Sequence, residues 1–123
     1  MPGLLPNSGG FRMEITITQF KHCDLVKVSG RIDSATAPKF AEALDSIINQ
    51  GRYKIVLDLE DVEFMSSAGL RVLISAQKAC RRYNRGEVAL ALVPQRLYEA
   101  MDLAGFVPLF TFYDDITSAV GSF

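Results

Sequence analysis

The chain has 123 residues and a net charge of −1, the length of one domain with a single substantial core. Hydrophobic residues make up 49% and charged residues 22%, the balance of a soluble globular protein, and the lack of a basic excess argues against a nucleic-acid binder. No apolar run approaches the roughly 20 residues that span a bilayer, and the first ten residues, MPGLLPNSGG, lack the basic start and apolar core of a signal peptide, so a cytoplasmic protein is expected.

Residues 1–10 carry Pro2, Pro6 and three glycines and read as a flexible tail, leaving 11–123 as the folded domain. From Arg12 to Phe20, Met13, Ile15 and Ile17 alternate with Glu14, Thr16 and Thr18, the period of a half-buried strand. Lys21 to Asp24 is a turn, and Leu25, Val26 and Val28 form a second strand, expected to pair with the first as a hairpin. Gly30 to Asp33 ends it, with Asp33 as a turn or cap residue. Ser34 to Asn49 is an amphipathic helix with Phe40, Leu44, Ile47 and Ile48 on one stripe. Ser34 or Thr36 can cap it, and Pro38 fits only because it stands in the first turn.

Tyr53 to Leu59 reads as a third strand, apolar on both faces and therefore central. Asp58, Glu60, Asp61 and Glu63 follow as a solvated strand end and loop. Phe64-Met65-Ser66-Ser67-Ala68-Gly69 leads into a helix that buries Leu70, Leu73, Ile74, Gln77 and Cys80. Asn84-Arg85-Gly86 stops that helix. Glu87 to Val93 is a fourth strand, Gln95 to Leu103 a short helix broken at Gly105, and Val107 to Phe112 a fifth, edge strand with Pro108 near its start. A last helix, capped by Asp114 or Asp115, runs toward Val120. The succession implies an α/β fold, one mixed sheet of four to five strands covered by about four helices.

The two cysteines, Cys23 and Cys80, form no CxxC or zinc-like spacing, and His22 is the only histidine. Reduced thiols and no metal or cofactor are expected. Enzyme chemistry finds no support either: there is no GxSxG elbow, no triad partner for His22 and no Gly-rich phosphate loop.

Ser66 and Ser67 carry two readings. Serine is a preferred N-cap and needs no function to explain it. A hydroxyl at a helix start is also a place where a phosphoryl group, adding roughly −1.5 to −2 charge, can be accepted without unfolding the domain.

The stretch DLEDVEFMSSAGLRVL resembles the signature of the STAS-domain family, the fold of bacterial anti-sigma factor antagonists. In that family a strand ending in Asp-Leu precedes Phe-Met-Asp-Ser-Ser/Thr-Gly-Leu and a helix. Gly30-Arg31-Ile32-Asp33 is similar to a second family anchor. The resemblance runs from about Met13 to the C-terminal region. It places the family's phosphoacceptor on Ser67, the family glycine on Gly69, the following leucine on Leu70 and the site aspartate on Asp33. The family's aspartate before the phosphoserine is Ser66 here, and the small hydroxyl residue after it is Ala68.

The resemblance implies a binding protein rather than an enzyme. Unphosphorylated, it would hold an anti-sigma factor that is also a serine kinase, through Asp33, Ser66, Ser67, Ala68, Gly69, Leu70 and Arg71. Phosphorylation at Ser67 would separate the pair, and a phosphoserine phosphatase would reset the switch. Nucleic acid would be affected only indirectly, through the released sigma factor. The alternative is an adaptor use of the same fold, without phosphorylation, in a transporter or sensory complex.

Overall fold

A computed structural model describes residues 13–83 and 85–123; the tail expected over residues 1–10 and Asn84 of the helix stop lie outside them. The strands are β1 (Met13–Gln19), β2 (Asp24–Ile32), β3 (Lys54–Met65), β4 (Glu87–Ala91) and β5 (Thr111–Tyr113), and the helices are α1 (Ala37–Ile48), α2 (Ser67–Arg81), α3 (Gln95–Leu103) and α4 (Ile116–Gly121). They form one five-stranded sheet in the order β1-β2-β3-β4-β5. The hairpin β1–β2 is antiparallel, and every later pairing is parallel, joined through helices as connections of that kind require. The α/β class, the hairpin, the central third strand and the edge position of the fifth follow the expectation.

The main core lies between one face of the sheet and α1, α2 and α3. Phe40, Leu44 and Ile47 from α1 and Leu73, Ala76 and Cys80 from α2 meet Val26, Val28, Ile55, Leu57 and Leu90 from the strands. A smaller cluster, Cys23, Val56, Ala91 and Ala119, lies under α4 on the other face. Val56 and Leu57 thus serve opposite cores, which is why the middle of β3 is apolar without alternation. Gln77 is the polar exception within α2. Its side chain accepts from the Val88 amide at 2.7 Å and donates to the carbonyls of Val88 at 3.1 Å and Leu109 at 2.9 Å, so its amide replaces missing backbone partners inside the core.

Five expectations are corrected. The third strand does not stop at Leu59; it continues to Met65. Two register shifts against β2 explain the miss, for Lys27–Ser29 face Asp58–Asp61, and Gly30–Arg31 face Val62–Phe64. Each shift gives β3 an extra residue, the signature of a β-bulge. The buried positions therefore become Leu59, Val62 and Met65, a spacing of three in which period-two reading finds no strand. Asp58 is buried rather than solvated, and Lys27 bridges it at 3.3 Å and Asp61 at 3.1 Å.

Val107–Leu109 is a 3₁₀ turn, with Pro108 inside it, and only Thr111–Tyr113 pairs as the edge strand. The fourth strand ends at Ala91, because Leu92 takes a φ of 56° that breaks the ladder. Ile17, expected on the buried side of the first strand, is 42% exposed on the sheet edge.

Candidate functional site

Parallel pairing brings the ends of β2 and β3 together. Ile32 is in register with Met65, and the Ser66 amide donates to the Ile32 carbonyl at 2.8 Å. Asp33 and Ser66, 33 positions apart in the chain, are therefore the first residues beyond two neighbouring strands.

Ser66 is the N-cap of α2. Its backbone is extended, and its Oγ accepts from the Gly69 amide at 3.4 Å, a long version of the bond that satisfies an otherwise orphaned helix donor. Ser67 is the first helical residue and is exposed. The two hydroxyls thus divide the two readings: Ser66 caps, and Ser67 stands outward at the positive end of a 15-residue helix.

Gly69 faces inward. A Cβ there would lie 2.7 Å from Met65 Cγ and 2.8 Å from Ile32 Cγ2. The glycine lets the helix start settle directly onto the two strand ends. Ala68 and Leu70 are half-buried, and Arg71 is exposed one turn beyond Ser67, on the rim of a hollow between α1 and α2 shared with Ala41, Asp45 and Ser75.

Asp33 shapes the turn beside them. Its Oδ1 accepts from the Ala35 amide at 3.0 Å and the Thr36 amide at 3.1 Å. Thr36 Oγ1 accepts from the Asp33 amide at 2.9 Å and donates to the Arg31 carbonyl at 2.8 Å. Thr36, the N-cap of α1, makes no side-chain cap bond to its own helix; the expectation that Ser34 or Thr36 caps it in that way is corrected, since the Ala37 amide donates to the Asp33 carbonyl at 2.8 Å, the Lys39 amide donates to the Thr36 carbonyl at 3.0 Å, and Pro38 has no amide to offer. The Thr36 amide above all, then the Ala35 amide, the Thr36 hydroxyl and the Arg31 charge, hold the Asp33 carboxyl below its ordinary value, against an opposing push from desolvation.

Phe64 was not among the residues singled out from the sequence. It is 41% exposed beside the serines, with the Arg31 guanidinium 4.5 Å over its ring. It also borders a crevice of about 210 Å³ formed with Met65, Pro94, Arg96 and Leu97. An aromatic residue exposed on the last bulge of a strand is a contact-forming feature, and the sequence signal for it was its place two residues before Ser66. Among the described residues, no group of three or more His, Cys, Asp or Glu side chains is arranged to hold a metal ion, and no helix is long and apolar enough to cross a membrane.

These features define a class: a small α/β domain whose distinctive surface is a hydroxyl-bearing helix start at the C-terminal edge of its parallel strands. The chain belongs to the STAS-domain family, whose model matches residues 14–119. It is 37% identical over 95 residues to the anti-sigma-B factor antagonist of Listeria monocytogenes, a match covering 76% of this chain and 80% of that protein. Its fold is similar to the crystal structure of an anti-sigma factor antagonist from Mycobacterium paratuberculosis, with a TM-score of 0.81 at 22% identity over 94% of this chain and 97% of that one. It is also similar to the Bacillus cell fate determinant SpoIIAA in its phosphorylated form, with a TM-score of 0.71 at 14% identity over 89% of this chain and 98% of that one.

Proposed function

We propose that this chain is an anti-sigma factor antagonist that binds an anti-sigma factor/serine kinase and is switched off by phosphorylation at Ser67, so that transcription is regulated through sigma-factor release. The observation that carries the reading is the outward position of Ser67 at the first turn of α2, on a helix start packed onto Ile32 and Met65. The names of its relatives support it, as does a similarly folded protein that exists in a phosphorylated form.

The chemistry is a phosphoryl transfer. Ser67 Oγ forms a bond to the γ-phosphorus of ATP held by the kinase, the bridging bond to ADP breaks, and the hydroxyl proton passes to a base on the kinase. The product dianion costs desolvation and like-charge repulsion in an interface that supplies no new cation. A loss of about 3 kcal/mol weakens binding more than a hundredfold. Because the helix N-terminus stabilises the added charge within the domain, the effect falls on the complex rather than on the fold.

The test is purification of the chain with its bound partner from its own host, followed by ATP and intact-mass measurement. One phosphate should be gained by the wild type and by Ser66→Ala, and none by Ser67→Ala. A partner that binds but never transfers phosphate would instead establish the adaptor use of the domain.

A further inference from the structure

The opposite end of the sheet carries a feature that the Ser67 site does not use. The strands β2, β3 and β4 begin level with one another, since Asp24 pairs with Ile55 and Lys54 with Glu87. Three connections therefore meet at one pole: the β1–β2 turn, the loop from α1 to β3, and the loop from α2 to β4. They are tied together. Arg52 bonds the Asp24 carboxylate and donates to the Phe20 carbonyl at 2.6 Å. The Glu87 amide donates to the Tyr53 carbonyl at 2.8 Å, and the Tyr53 and Tyr83 rings stack at 3.8 Å.

Six of the 13 Lys and Arg residues stand in or beside these connections: Lys21, Arg52, Lys54, Arg81, Arg82 and Arg85. Their nearby carboxylates are already engaged. Asp24 is buried on Arg52, and Glu87 accepts from Thr111 Oγ1 at 2.7 Å and lies 3.9 Å from Arg81. Among the described residues, Phe20 and Tyr83 are 41% and 45% exposed amid the cations. About 35 Å away along β3, the Ser67 end mixes the carboxylates of Asp33 and Glu63 with the cations of Arg31 and Arg71.

We propose that this basic, aromatic pole docks on an anionic lipid surface, with the Ser67 end directed away from the membrane. Two features favour a bilayer. The cations are spread over three loops at one level, which suits an extended charged plane. Exposed rings among them suit the headgroup region. Docking would hold the domain at the membrane without covering the partner surface, and it does not depend on what Ser67 does.

The test is co-sedimentation of the full chain with vesicles of phosphatidylcholine alone, or of phosphatidylcholine and phosphatidylglycerol in equal parts. Binding should occur only with the anionic vesicles and should weaken as salt rises. The double variant Lys54→Glu/Arg82→Glu, whose fold is checked by circular dichroism and which leaves Arg52 on Asp24, should lose more than roughly tenfold in vesicle affinity. Ser67→Ala should bind as the wild type does, which separates this surface from the phosphorylation reading. No sedimentation with anionic vesicles at low salt, or equal binding by the charge-reversed variant, would overturn the proposal. So would binding to poly-glutamate as tight as to vesicles, which would assign the pole to an acidic protein instead.

Discussion

Ile32 holds the start of α2 twice: its carbonyl accepts from the Ser66 amide at 2.8 Å, and its Cγ2 stands 2.8 Å from where a Cβ on Gly69 would be. Ile32 is fully buried and β-branched, so it has little freedom to move aside. Gly69→Ala gains about 1 kcal/mol of helix propensity, but the clash with Ile32 and Met65 is of the overpacking kind, which costs about 1–3 kcal/mol. We expect net destabilisation for Gly69→Ala and a larger loss for Gly69→Val, read as lower midpoints in urea, with partner binding falling because the helix start shifts. Wild-type stability in Gly69→Val would show that α2 does not sit as closely as described.

Ser67→Asp separates binding from folding. A negative charge at the first helical position interacts favourably with the helix dipole by about 0.3–1 kcal/mol. The melting temperature should therefore stay within about 4 °C of wild type, while affinity for the anti-sigma factor, measured by calorimetry, falls at least tenfold. Unchanged affinity would remove Ser67 from the contact.

Gln77→Ala should be among the more damaging single changes in the domain. It removes the acceptor for the buried Val88 amide and the donor to Val88 and Leu109. Leaving such groups unpaired costs about 2 kcal/mol or more, which for a domain of this size lowers the melting temperature by roughly 8 °C. Scanning calorimetry measures it directly.

The lowered Asp33 carboxyl makes an acid-limb prediction. A folded-state value below the unfolded one means the native state binds its proton less readily, so Asp33 stabilises the fold at pH above 3.8. That contribution fades as pH falls below 3.8 and through the lower folded value. Asp33→Ala should be less stable than wild type at neutral pH and should show a shallower loss of stability across this acid window, with urea midpoints measured at a series of pH values.

The thiols should be silent until the protein opens. Burial pushes Cys80 up to about 11 and also raises Cys23, and both are free and buried. Because the thiolate is the reactive form, a disulfide reagent at about pH 8 should label neither residue in the native protein and both in urea. Rapid labelling of native Cys80 would contradict its place on the sheet-facing side of α2.

What could be read along the chain was whatever is written locally. The stripe Phe40-Leu44-Ile47, the alternation opening β1, a cap at Asp114 or Asp115 and the serines ahead of the α2 apolar face all belong to single elements, and a single element suffices to reveal them. The length of β3 was not of that kind. Its second half exists because β2 continues beside it, and its two bulges reset which side chains point inward, so the burial of Val62 and Met65 and the exposure of Phe64 follow from a partner strand rather than from period.

The same holds for Asp58, whose neighbour Lys27 comes from another strand, and for Gln77, whose partners belong to β4 and the 3₁₀ turn. It holds most of all for the candidate site and for the basic pole. Asp33 meets Ser66, and Lys21 joins Lys54 and Arg82 at one end, only once parallel pairing has levelled the strand ends. Local periodicity determined the elements, and the resemblance of the α2 start to a family motif marked Ser67; long-range backbone hydrogen bonding, which no window of sequence contains, decided which residues became neighbours.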